Sequence, residues 1–159
     1  MTASWWRQDS PIGTLTVLAS ARGVRNIALG SVALDVDAIE ACDHEVAIEI
    51  DEYFTSRRRR FTMPVDLSGI DAAFPRAVYE TLQREVSWGE TVSYGELAEM
   101  AGRQRAARAV GNAMSRNPVP IVVPCHRVIA AAGRIGGYGP SGVPTKRFLL
   151  SLEGVELPA

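Results

Sequence analysis

The hydrophobic period of this chain changes once, near Ser68-Gly69, and that change constrains its fold more than any other feature. Before it, β-branched and apolar residues cluster at 12–19 (IGTLTVLA) and 24–29 (VRNIAL), on either side of Ser20-Ala21-Arg22-Gly23, a pattern that predicts a β-hairpin. Residues 36–56 have the spacing of a helix, although Val46 to Ile50 also alternate as a strand would. Residues 61–67 (FTMPVDL) look extended, with Pro64 suited to a sheet edge because it has no N–H to donate. Beyond the boundary, Phe74, Val78, Leu82 and Val86 recur every four residues with Ala77 beside them, the stripe of a core-facing helix. The expected class is therefore α+β: a small N-terminal α/β lobe over 1–68 whose sheet contains the hairpin, then a mainly helical lobe over 69–159.

In the second lobe, Ser93 followed by Glu96 is a capping-box pattern, so a short helix is expected from about Tyr94 to Ala101, ending at Gly102. Another is expected from about Arg105 to Ser115. Such a pair is either a helix-turn-helix or a packing unit. A proline-bounded segment (NPVPIVVPC) leads to His126, and a glycine-rich stretch (GRIGGYGPSG) leads to a last helix from about Thr145 to Glu153.

Charge gives little direction. Residues 1–68 carry ten acids and seven bases and residues 69–159 eight acids and ten bases, so the second half is the better anion binder. A net charge of −1 nonetheless argues against strong nonspecific adsorption to nucleic acid. The run Arg57 to Arg60 reads as a solvated connection or, less simply, as a phosphate contact. No apolar run approaches the roughly 20 residues of a membrane helix, and the first residues lack the pattern of a signal peptide, so a cytoplasmic protein is expected. Cys42 and Cys125 are then expected to be thiols rather than a disulfide. With His44 and His126 they total a two-Cys, two-His set, but neither spacing resembles a zinc module and recruiting Cys125 would silence a nucleophile; no metal or other cofactor is expected.

Cys125-His126 is the pair that can carry chemistry. The thiolate is the nucleophile, and an unassisted cysteine is only about 3% thiolate at pH 7; lowering its pKa by about 1.5 units raises that fraction roughly sixteen-fold. An adjacent imidazole can take the proton. A buried, inert cysteine is the alternative for an isolated Cys-His dipeptide.

The surroundings decide between them. The segment NPVPIVVPCHRVI, preceded by TVSYGELAEMAG and AARAVG and followed by GGY and KRFLLSLEG, resembles the methylated-DNA-protein-cysteine methyltransferases across about residues 70–154, with SPIGTL adding weaker support. The resemblance implies a winged-helix-like helix-turn-helix and a suicidal repair reaction. Cys125 takes the alkyl group from O6-alkylguanine, and from O4-alkylthymine, in one displacement and is never regenerated. It implies that His126 acts through a bound water, that Glu153 orients it, and that Asn117 links the DNA-reading helix to the active-site segment. Tyr94 is expected to support the flipped base and to crowd the phosphate 3′ to it. Arg108 is expected to fill the space the base leaves, on a helix kept slim for the minor groove by Ala106, Ala107, Ala109, Gly111 and Ala113. The pocket is to be closed by the carbonyls of Cys125 and Val128, by Tyr138 with its neighbouring glycines, and by Lys146. Seven residues separate Tyr138 from Lys146, one more than the family's usual pattern, which leaves open whether Gly139 or Ser141 donates to guanine O6. Gln104 stands where proline is common. The implied partner is double-stranded DNA containing O6-alkylguanine, bound by a monomer, with cooperative loading left open, and no membrane.

Three other functions compete. A noncatalytic lesion binder similar to the alkyltransferase-like proteins would lack Cys125. A helix-turn-helix regulator gives Pro124-Cys125-His126 no role and would need base-reading side chains that the second helix hardly offers. A thiol hydrolase would turn over repeatedly, whereas the suicidal reading predicts one event per molecule.

Overall fold

The computed structural model describes residues 3–34, 37–139 and 142–158. They form two compact units, Met1–Gly69 and Ile70–Ala159.

The first unit is a four-stranded sheet with one helix. Strands β1 (Ala3–Gln8), β2 (Leu15–Ser20), β3 (Gly23–Leu29) and β4 (Ala38–Glu40) lie in the order β3-β2-β1-β4. The β2–β3 hairpin turns at Ala21-Arg22, with a bulge at Leu18/Ala19. Strand β1, whose mixed ASWWRQ carries no clean alternation, pairs antiparallel with β2 and parallel with β4. Helix α1 covers His44–Phe54, a shorter span than the 36–56 that spacing suggests. The Asp43 carboxylate accepts from the N–H groups of Glu45 and Val46, which caps the helix there, and residues 38–40 are drawn into the sheet instead. Residues 35 and 36 lie outside the described residues. Val46 to Ile50 are helical, because Val46, Ile50, Tyr53 and Phe54 make one buried face.

The segment at 61–67 is extended beside the start of β3: Val24 N–H donates to the Pro64 carbonyl and Asp66 N–H to the Val24 carbonyl. A side chain at Gly23 would put its Cβ 2.3 Å from Pro64 O, so this close approach requires glycine. In the arginine run, Arg58 turns back to Glu49 and Glu52, while Arg57, Arg59 and Arg60 are exposed.

The second unit comprises α2 (Ala73–Glu85), β5 (Val92–Ser93), α3 (Tyr94–Met100), α4 (Ala107–Ser115), a 3-10 turn (Cys125–Arg127), β6 (Val128–Ile129), a second 3-10 turn (Ala131–Gly133) and α5 (Val143–Leu152). The Ser93/Glu96 capping box forms in full. Helix α4 starts two residues later than its spacing suggests, because Arg105 takes a left-handed φ of 58° and keeps the turn open. Helix α5 begins at Val143, earlier than expected, because Pro144 fits the first turn, where its missing N–H costs nothing. It stops before Glu153, which is its C-cap. Val78, Leu82, Leu97, Val110, Leu149 and Leu150 form the core that holds these helices.

Candidate active site

Two short elements bring the reactive residues together. Strand β5 pairs in parallel with β6, Val92 with Val128 and Ser93 with Ile129. This register sets Tyr94, the first residue of α3, beside the turn that carries Cys125 and His126. The approach to that turn is fixed by Asn117. Its amide donates to the Val123 carbonyl at 2.8 Å, its oxygen accepts from Val119 N–H at 3.0 Å, and its side chain also hydrogen-bonds to Cys125. Ile121, inside this loop, is β-branched yet held at a φ of 77°. So unfavourable a conformation persists only because the neighbours over-determine it.

Cys125 is buried and lines a cavity of about 180 Å³ with Tyr94, Gly111, Met114, Ser115, Gly137, Tyr138 and Gly139. Gly139 presses on the end of α4, where an added Cβ would come 3.2 Å from Ser115 Cα. Lys146 is fully buried: its ammonium donates to the Val128 carbonyl at 2.6 Å and the Gly137 carbonyl at 3.1 Å, and sits 5.9 Å from the centre of the Tyr94 ring. It therefore braces the cavity wall from behind. Tyr79 of α2 donates to the Ala113 carbonyl at 2.7 Å and steadies α4 from below.

His126 is buried completely, and its Nε2 lies 2.6 Å from Glu153 Oε2. The same carboxylate receives a two-pronged contact from Arg127, Nε to Oε1 at 2.8 Å and Nη2 to Oε2 at 3.0 Å, while Arg127 Nη1 donates to the Val86 carbonyl at 2.8 Å.

Burial and charge set the protonation states. Burial pushes the Cys125 thiol up, opposed by hydrogen bonds from Asn117 and Tyr138 and by the charge of Lys146. Burial likewise pushes His126 down; Glu153 pulls it back up, and Arg127 and Lys146 oppose that pull. Burial also resists ionisation of Glu153, but His126 and Arg127 outweigh it and hold the carboxyl down to about 2. Lys146 is lowered to about 8 by burial. The resting site is thus a thiol beside a neutral imidazole. The adjacent histidine does not lower the thiol pKa as the sequence suggests, because desolvation of the sulfur dominates.

Several expected residues converge here: Cys125, His126, Glu153, Asn117, Tyr94, Gly111, Tyr138 and Gly139 at the cavity or its hydrogen bonds, with Val128 and Lys146 behind it. Ala107 and Arg108 are exposed on α4. Ser141 lies outside the described residues. Sequence spacing passed over Met114, Ser115 and Arg127. The first two follow Gly111 by three and four positions, so one face of α4 carries all three, and that helical spacing was the available signal. Among the described residues no three His, Cys, Asp or Glu side chains gather as a metal site would require.

A buried free thiol that lines a cavity beside a short helix pair, in the second of two compact units, defines a class of two-domain cysteine-centred proteins. Residues 73–155 match the DNA-binding domain, and residues 7–67 the ribonuclease-like domain, of the 6-O-methylguanine DNA methyltransferase family, and the chain belongs to that family. A methylated-DNA–protein-cysteine methyltransferase of Methanosarcina acetivorans is 37% identical over 152 residues, 92% of this chain and 95% of that one. One from Mycolicibacterium paratuberculosis is 39% identical over 156 residues, 95% of this chain and 92% of its own. The crystal structure of Mycobacterium tuberculosis OGT in complex with DNA superposes with a TM-score of 0.86 at 35% identity, covering 95% of this chain and 93% of that one. The chain is accordingly a DNA-binding methyltransferase of the protein-cysteine kind.

Proposed function

We propose that this protein repairs duplex DNA by moving the alkyl group of O6-alkylguanine, and of O4-alkylthymine, onto Cys125 Sγ in one irreversible event per molecule. The observation that carries the reading is a buried cysteine lining a base-sized cavity, beside an imidazole held by a buried carboxylate. Residues 69–159 supply both the DNA-reading helix and the transfer site.

The Cys125 proton passes through a bound water to His126, whose Nε2 is engaged by Glu153, so that Nδ1 serves as the acceptor. Sulfur forms a bond to the alkyl carbon, the carbon–O6 bond breaks, and its electron pair goes to the guanine, which recovers the proton from the imidazolium. Asn117, Tyr138 and Lys146 stabilise the sulfur's charge while it lasts. The thioether is not a leaving group this site can expel, which makes the reaction stoichiometric.

An enclosed thiol reaches a base only if the nucleotide leaves the stack. The exposed Ala107 and Arg108 and the small Gly111 suit α4 to the minor groove, with Arg108 in the vacated space. Tyr94 supports the flipped base in the cavity that it lines. The two cysteines, both free, suit a reducing compartment such as the cytoplasm.

Incubation with a duplex carrying O6-methylguanine, followed by peptide mass spectrometry, tests this. One methyl per protein on the Cys125 peptide is expected. Methyl on Cys42, or repeated turnover, refutes it. Cys125→Ser should transfer nothing yet bind the lesion duplex as wild type does; loss of binding would mean that recognition requires the sulfur.

A further inference from the structure

Arg127 is buried and spends its whole guanidinium on two partners, the Glu153 carboxylate and the Val86 carbonyl at the end of α2. Glu153 Oε2 is shared between His126 Nε2 and Arg127 Nη2. Without the arginine, the buried carboxylate would draw the imidazole toward its protonated form with only burial and Lys146 opposing it. With it, Glu153 is neutralised and geometrically clamped before the imidazole takes any proton.

Resting on the reading above, we infer that Arg127 is a positioning residue of the transfer: its fork fixes the Glu153 carboxylate against His126, and its charge keeps the imidazole an acceptor for the Cys125 proton. Of the charged groups around the imidazole, Glu153 and Lys146 come from α5 and its end, and Arg127 and the Cys125 thiol from its own turn; Tyr79 of α2 and Tyr94 of α3 face the sulfur. Among these only Glu153 favours the imidazolium, so Arg127, bonded to that very carboxylate, is the group placed to cancel its effect. A proton taken from solvent would add a net charge to a buried site, whereas one taken from Cys125 leaves the net charge unchanged. The arrangement couples protonation of His126 to formation of the thiolate.

The chain contains two histidines, His44 and His126, so NMR of histidine-labelled protein reads the imidazole directly, with His44→Gln assigning the signals. In wild type His126 should stay neutral below the ordinary histidine range of about 6.5. In Arg127→Met it should titrate above 6.5, and methyl transfer at pH 7 should slow about tenfold or more. Arg127→Lys, which keeps charge but not the fork, should hold His126 below 6.5 while still slowing transfer. An Arg127→Met imidazole at or below 6.5 overturns the inference, since mere loosening would only return it to the solvent value. If that variant does not fold, an imidazole at or above 6.5 in folded Arg127→Lys overturns it instead. Wild-type protein that moves no methyl defeats the proposed function, whereas active wild type with an unmoved Arg127→Met imidazole defeats this inference alone.

Discussion

Asn117→Ala should damage stability and chemistry through the same side chain. Its amide closes two buried hydrogen bonds, to the Val123 carbonyl and from Val119 N–H. Alanine leaves the buried Val119 N–H unpaired, at about 2 kcal/mol, and takes from the Val123 carbonyl one of its two donors, the other being Cys125 N–H, for about 1 kcal/mol more, about 3 kcal/mol in total. For a chain of 159 residues this lowers the melting midpoint by about 6 to 12 °C. The Cys125 sulfur also loses a donor, and a hydrogen bond to a charged group is worth about 1.5 kcal/mol or more, so transfer at pH 7 should fall about tenfold. Urea unfolding followed by Trp88 fluorescence, in a Trp5→Phe, Trp6→Phe background, reports on the second unit by itself. The midpoint should move without a change of slope, and single-turnover methyl transfer gives the rate. Asn117→Asp keeps an acceptor for Val119 but sets a negative charge beside the sulfur, so it should transfer more slowly than Asn117→Ala. A loss under about 1 kcal/mol, or an unchanged rate, would refute the view that this amide organises the turn and the nucleophile together.

Glu153 is held near 2, well below its unfolded value of 4.5, so it contributes stability fully above the unfolded value, and that contribution is lost as pH falls toward the folded one. About 3 kcal/mol should disappear across that window. Glu153→Gln should be less stable at neutral pH and lose less between pH 5 and 2, as acid-dependent denaturation will show; a slope equal to wild type contradicts the pairing. Arg108→Ala should slow repair of duplex DNA severalfold, because unstacking costs a few kcal/mol, yet react with free O6-benzylguanine at near the wild-type rate. Equal losses on both substrates would move Arg108 from base extrusion to folding or catalysis.

The sequence by itself determined what depends on neighbours a few residues away. The hairpin at Ser20–Gly23, the capping box at Ser93–Glu96, the stripe from Phe74 to Leu82 and the Cys125-His126 pair are set by turn chemistry, caps and periodicity, which act within a turn or two of chain. Tertiary structure decided whatever depends on groups distant in sequence. Strand β4 exists because β1 offers it an edge, overriding the helical spacing of 36–56. Glu153 reaches His126 across 27 positions, and only packing could add Arg127 to the same carboxylate or bring the α4 face that carries Gly111, Met114 and Ser115 against the cysteine. The protonation of Cys125 belongs here too. A neighbouring imidazole is visible in the sequence, but the desolvation that raises the thiol pKa comes from burying the sulfur among residues distant in sequence, Tyr79 and Tyr94 beside it, and water is excluded only once the whole unit has assembled.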